Sequence, residues 1–199
     1  MPTSYHHGSL RQALLEEGRR LLAEQGVAAV TMRELARRTG VSYAAPARHF
    51  SSREALLAAI ADEGFKELAE VLQAAERAGD LPARLSAYAH AHVRFAVTNG
   101  ALMELMFTRG PGSEQADHPP SPAAVQFFVL GARMLGEQAP HGHLGPLPYL
   151  LTAALEGISS LAINGRLPPE QVEEVTDAAV RMMLPAVREQ MERTPDHST

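Results

Sequence analysis

The chain contains no cysteine, which excludes disulfides, thiolate metal sites and a cysteine nucleophile. No apolar run reaches the roughly 18–20 residues that a bilayer-spanning helix needs. The first residues, MPTSYHHGSLRQ, lack the apolar stretch of a secretory signal. A soluble, cytoplasmic protein without a membrane partner is the expectation. No stretch alternates apolar and polar residues as a half-buried strand does, and no segment repeats. Without strands no glycine-rich phosphate loop can follow one, and no Ser/His/Asp set sits in a motif. The chain is therefore expected to be no enzyme and to carry no cofactor. His90-x-His92 and His141-x-His143 invite a metal reading. Helical residues two apart point away from each other, however, and no carboxylate cluster stands beside either pair, so no metal is expected.

What is present is helix-forming. With 199 residues, 45% hydrophobic and 21% charged, the chain can bury a sizeable core in one or two domains. Its net charge of −5 is unevenly spread. Residues 1–53 hold eight arginines (Arg11, Arg19, Arg20, Arg33, Arg37, Arg38, Arg48, Arg53) against four glutamates (Glu16, Glu17, Glu24, Glu34), a surplus of +4, so the remainder carries −9. A basic N-terminal unit on an acidic body suits local contact with phosphate.

The densest signals lie in 31–50, TMRELARRTGVSYAAPARHF. Thr31 is placed to cap a helix, with Glu34 completing a capping box and Val30 and Leu35 stapling its end. Met32, Leu35 and Ala36 form an apolar face. Gly40 can end the helix at positive φ, and Ser42 can cap a second short helix. Pro46 restricts that helix to a start at Ser42, where early amides lack partners anyway. Two short helices across a glycine-containing turn suit a helix-turn-helix. They equally suit any helical hairpin.

In chain order, a polar arm at 3–8 precedes a helix of about 9–25, capped by Ser9. A third helix of about 52–78, capped by Ser51 with Glu54, leads out of the first unit. Asp80 caps a helix reaching about Thr98, and 101–107 is a short apolar helix. The Gly/Pro-rich stretch 109–122 reads as a mobile loop. Helices of about 122–138, 147–164 and 169–191 follow, with Pro185 expected to kink or end the last, and 194–199 as a frayed tail.

Taken together, Thr31, Arg33, Leu35, Ala36, Gly40, Val41, Ser42, His49, Phe50, Ser52, Arg53 and Leu56 or Leu57 stand at the spacing of the tetracycline-repressor (TetR) family, which the segment 9–60 resembles. YHHGSLR, AYAHAHVRFAVTNGALMELMF and LEGISSLAINGRL also look like the branch with a Trp-His-Gly C-terminal motif. There Gly157 matches, Glu156 stands in place of histidine and Thr152 near the tryptophan position. The resemblance implies an all-α fold of about nine helices. It implies a three-helix DNA-binding domain (1–53, linked by the helix 52–78) and a helical ligand-binding and dimerisation domain (54–199). It implies a dimeric repressor released from double-stranded operator DNA by a small-molecule inducer.

On that resemblance, Ser42, Tyr43, Ala44 and Ala45 face base edges. Thr31, Arg33, His49 and Arg53 anchor phosphate, and Arg48 can substitute for the tyrosine that the family commonly has where this chain has Ala47. With alanines at its head, the recognition helix depends on close fit more than on base hydrogen bonds. Candidate ligand-lining residues are Tyr88, His92, Phe95, Met103, Met106, Phe107, Phe127, Met134, Tyr149 and Glu156, most of which would serve equally as core. An all-α sensing or scaffold protein with weakened DNA binding is the alternative, motivated by Pro46 and Ala47.

Overall fold

A computed structural model describes residues 7–108, 121–136 and 145–193. Among them there is no strand, and eight α-helices follow one another: α1 (His7–Gln25), α2 (Met32–Thr39), α3 (Arg53–Ala75), α4 (Leu81–Thr98), α5 (Gly100–Thr108), α6 (Pro122–Met134), α7 (Pro146–Ile163) and α8 (Val172–Arg193). Three 3-10 turns complete the set. Most of the loop at 109–122, the tail 194–199, most of the arm at 3–8 and the pair His141-x-His143 lie outside the described residues.

The chain packs as two compact units, Met1–Gly64 with Asn99–Pro120, and Phe65–Thr98 with Ser121–Thr199. In the first, Leu14, Leu15, Leu21 and Leu22 of α1 are buried with Val30, Leu35, Phe50, Leu56, Leu57 and Ile60. In α1 these leucines stand at i, i+1, i+7 and i+8, which puts them on one stripe two turns apart. Gly18 lets α1 approach α3: a Cβ there would lie 2.7 Å from Ile60 Cδ1. Gly64 does the same against α5, where a Cβ would lie 2.7 Å from Met106 Sδ.

In the second unit, α4, α7 and α8 pack on one another. Leu85, Ala89 and Val93 of α4, Leu151, Leu155 and Ile158 of α7, and Val180 and Val187 of α8 are buried. Phe127 of α6 is buried, with its ring centroid 5.8 Å from that of Phe65. Asp80 caps α4 as expected, its Oδ1 accepting from Ala83 N at 3.1 Å.

Several local expectations are corrected. Helix α1 starts at His7, so Ser9 lies inside it. Helix α3 is capped one residue later than expected, by Ser52 Oγ accepting from Ala55 N at 3.1 Å. Pro185 does not end α8, which runs on to Arg193. Both Pro185 and Arg181 are exposed, so the carbonyl that proline leaves unpaired can bond water. Helix α7 has the length and mean hydropathy (1.3) to cross a bilayer, contrary to the reading of the sequence. It also carries Glu156, hydrogen-bonded to His92 of α4.

Candidate nucleic-acid interface

Helix α2 is built as its sequence prescribes. Thr31 is extended and its Oγ1 accepts from Glu34 N at 3.2 Å. At the other end Gly40 takes φ 69°, Gly40 N reaches Arg37 O at 3.4 Å and Val41 N reaches Ala36 O at 3.0 Å. That pair of bonds is a Schellman motif, and only glycine enters its left-handed position at low cost. The return arm of the expected capping box is missing. The Glu34 carboxylate is taken by Arg37 (Nη2, 2.6 Å; Nε, 2.8 Å) and Arg38 (Nε, 3.1 Å).

The second element is not an α-helix. Residues 43–45 form a turn and Pro46–Arg48 a 3-10 turn, held by Ala45 N to Ser42 O at 2.9 Å and His49 N to Pro46 O at 2.9 Å. Proline supplies no amide to the Ser42 carbonyl and its ring crowds that oxygen. Ser42 makes no side-chain cap bond to this turn. Tyr43 and Ala44 are exposed, Ala45 is half-buried, and Pro46 and Phe50 are buried. Tyr43, 66% exposed, lies under the Arg33 guanidinium, 5.7 Å from its ring centroid, a cation–π arrangement that restricts both side chains.

The arginines divide into committed and free. Arg38 bonds Glu17 at 3.1 Å, Glu24 at 2.9 Å and Glu34 at 3.1 Å, tying α1 to α2. These three carboxylates raise its pKa further above its already high value. Arg37 is paired with Glu34 and Arg20 with Glu17. Arg53 turns inward: its Nε donates to Val30 O at 2.7 Å and its Nη2 to Val27 O at 2.5 Å. Among the described residues, Arg33 and Arg48 have neither an ion pair nor a hydrogen bond from their side chains. Thr31, with its oxygen accepting from an amide, still has its proton to give. His49 is half-buried at the end of the 3-10 turn.

Of the ligand candidates in the second unit, Tyr88, His92, Phe127 and Met134 are buried. His92 Nε2 lies 2.9 Å from Glu156 Oε1, and its ring centroid is 6.1 Å from that of Phe127. Its Nδ1 is buried without a partner. Burial holds the Tyr88 phenol well above its usual pKa. Phe95 is half-buried, but Tyr149 is 59% exposed and lines no interior. Met103 and Met106 are buried and Phe107 half-buried in the first unit.

The sequence pattern of the bacterial regulatory proteins of the tetR family matches residues 14–60, and that of the tetracyclin repressor-like C-terminal domain matches residues 85–183. The chain belongs to the TetR family. A solved protein of unknown function from Rhodococcus sp. RHA1 is 34% identical, with a TM-score of 0.76 over 93% of this chain and 98% of its own. The TetR family transcriptional regulator PfmR from Thermus thermophilus is 25% identical, with a TM-score of 0.55 over 86% of this chain and 97% of its own. A TetR family regulator from Marinobacter aquaeolei VT8, 20% identical with a TM-score of 0.65 over 87% and 95%, shares the fold. No curated protein matches by sequence. These matches carry the family and not its Trp-His-Gly branch.

As a TetR protein the chain is a DNA-binding transcriptional regulator. Two features of its head were missed in the sequence. The Arg38–Glu34 contact has the i, i+4 spacing of a helical pair, but nothing in the spacing of Glu17 or Glu24 pointed to Arg38. The inward turn of Arg53 had no sequence signal at all. Arg53→Ala is therefore expected to lower the melting temperature even without DNA, whereas Arg48→Ala leaves it unchanged; thermal unfolding by circular dichroism distinguishes them.

Glu34 carries a pH dependence. Hydrogen bonds from Arg37 and then Arg38 pull its pKa from 4.5 down to about 2. The folded state thus favours the ionised carboxylate, and the stabilisation is present above about pH 4.5 and lost as pH falls toward 2. Wild type is expected to melt above Glu34→Gln at neutral pH, with the gap closing through that window. A gap independent of pH would remove the carboxylate as its source.

Proposed function

We propose that this regulator is a homodimeric repressor that leaves its operator when a small molecule binds its C-terminal unit. The observation that carries the DNA half is the turn at 43–45 ahead of the 3-10 turn, where exposed Tyr43 is stacked under Arg33. Tyr43 is the one long side chain positioned to read a base edge or stack on sugar. Ser42, Ala44 and Ala45 beside it allow close approach. Arg33, Arg48, Thr31 and His49 hold phosphate. Arg53 positions the start of α3 more than it binds. In this reading the functional division stays at 1–53 for DNA and 54–199 for regulation, in the cytoplasm, with no catalytic step.

Dimerisation is supported by two exposed, mostly uncharged stripes. Leu150 (57% exposed), Ala153 and Gly157 lie on one face of α7, and Met182 (81% exposed), Pro185 and Ala186 on one face of α8. A four-helix contact with a second copy would cover both and set two recognition turns about 34 Å apart, one helical turn of DNA. The ligand half is supported by His92. In the neutral tautomer whose Nε2–H donates to Glu156, Nδ1 presents a lone pair with no donor, which suits an apolar molecule bearing a hydroxyl or N–H.

The test is a fluorescence-anisotropy titration of the DNA upstream of its own gene, with Leu150→Glu/Met182→Glu as comparison. Wild type is expected to sediment as a dimer and bind. The double variant should sediment as a folded monomer and lose measurable binding. Wild type that binds no such fragment at low salt would favour the sensing or scaffold reading, to which Pro46 and Ala47 point.

A further inference from the structure

The second unit holds a cleft that none of the candidate ligand residues lines. It has a volume of about 540 Å³ and lies between the C-terminal half of α4, the turn after α7 and the first two turns of α8. On α4 its lining residues His90, Val93, Arg94 and Val97 follow the i, i+3, i+4, i+7 pattern of a single face. At 100° per residue that face is opposite the one carrying Tyr88, His92 and Phe95. The cleft is thus a separate place from the core around His92.

Its chemistry is specific. Val93, Val97, Leu167 and Val172 give it an apolar wall. Arg94 from α4 and Glu173 from α8 bring opposite charges to it, yet no ion pair joins them. Neither has a side-chain partner among the described residues. Asp177, the other carboxylate of the lining, already holds His90, Nε2 to Oδ1 at 2.8 Å. One cation and one anion therefore stand unfilled on two walls of an apolar cleft.

We propose that this cleft binds a zwitterion of about dipeptide size with apolar side chains, its carboxylate on Arg94 and its ammonium on Glu173. The volume lies in the range of small-ligand sites, about 300–1,000 Å³. The apolar wall disfavours a bare ion, and a ligand with one charge would leave the other wall's group unpaired. The His90–Asp177 pair fixes the far side, so that Glu173 is the free acceptor. Thr98, the last residue of α4, also lines the cleft. The proposal stands independently of whether the protein releases DNA.

Calorimetric titration of the full chain with leucyl-leucine tests it, alongside N-acetyl-leucyl-leucine (carboxylate only) and leucyl-leucine amide (ammonium only). Saturable binding of one dipeptide per chain is expected, with both capped forms weaker by at least about tenfold, since each lacks a charged hydrogen bond. Arg94→Gln and Glu173→Gln, both at exposed positions, should each weaken leucyl-leucine by a similar factor without changing the melting temperature. Glu104→Gln, at an exposed carboxylate of α5 that does not line the cleft, should leave leucyl-leucine binding unchanged. The proposal is overturned by absence of saturable binding up to about 10 mM. It is equally overturned by capped forms that bind as well as the zwitterion, or by full binding in Arg94→Gln and Glu173→Gln.

Discussion

Raising salt from about 50 to 200 mM is expected to weaken operator binding by about 10²-fold, the loss that follows from neutralising about four phosphates. A dimer would supply the neutralising charges from Arg33 and Arg48 of each copy, while the neutral Thr31 hydroxyl contacts phosphate without releasing a counterion. The division of arginines makes the expectation residue-specific. Arg33→Ala and Arg48→Ala each remove a cation that has no acidic partner among the described residues. In a dimer each should reduce the slope of log K against log salt by about two, one per half-site. Arg37→Ala should hardly change it, because Glu34 already neutralises that guanidinium at 2.6 Å. Arg33→Ala should also free Tyr43 from its stack and so exceed Arg48→Ala in total effect. Tyr43→Ala should weaken binding by about tenfold while leaving the slope alone, since stacking or apolar contact involves no counterion. Anisotropy titrations at four salt concentrations measure all of these. An Arg37→Ala slope as reduced as that of Arg33→Ala would overturn the division.

The sequence was most informative where a single residue type solves a local problem. Gly40 at positive φ, Thr31 and Asp80 as caps, and the leucine stripe of α1 each follow from rules acting over four or five residues. The second half of the helix-turn-helix was less legible because two local rules compete there. The family spacing calls for a helix, but Pro46 removes an amide and crowds a carbonyl, so the chain closes a 3-10 turn instead. Long-range partners were least legible. Arg53 reaches Val27 and Val30, and Arg38 reaches Glu17 and Glu24; such contacts depend on how helices pack, which no window on the sequence contains. The same limit applies to the C-terminal candidates. Helical spacing places Tyr88, His92 and Phe95 on one face of α4, but the His92–Glu156 bond joins residues 64 apart in the chain. Exposed Tyr149 and the cleft on the other face were invisible, because both depend on what lies opposite.

The largest stability loss is expected at Phe127. Its side chain is 2% exposed, with rings of Phe65, Phe128 and His92 at 5.8, 5.1 and 6.1 Å. Phe127→Ala deletes a ring that α3, α4 and α6 share, and the surrounding helices cannot collapse onto the gap without moving together. Such truncations cost about 3–5 kcal/mol. For a chain of this length each kcal/mol lowers the melting temperature by about 2–4 °C, so a drop of about 6–20 °C follows. Phe127→Leu, which keeps most of the volume, should lose less than half as much. The neighbouring polar pair behaves differently. Glu156→Leu alone leaves the 1%-exposed imidazole of His92 with no partner at either nitrogen, at a cost of about 1–3 kcal/mol. His92→Leu combined with Glu156→Leu removes both polar groups and should recover most of that, since replacing both partners by apolar groups can be nearly neutral. Urea unfolding of the four variants measures the series. A Phe127→Ala loss below about 1 kcal/mol would mean that α6 lies outside the cooperative core. A double variant less stable than Glu156→Leu would mean that His92 contributes packing beyond its hydrogen bond.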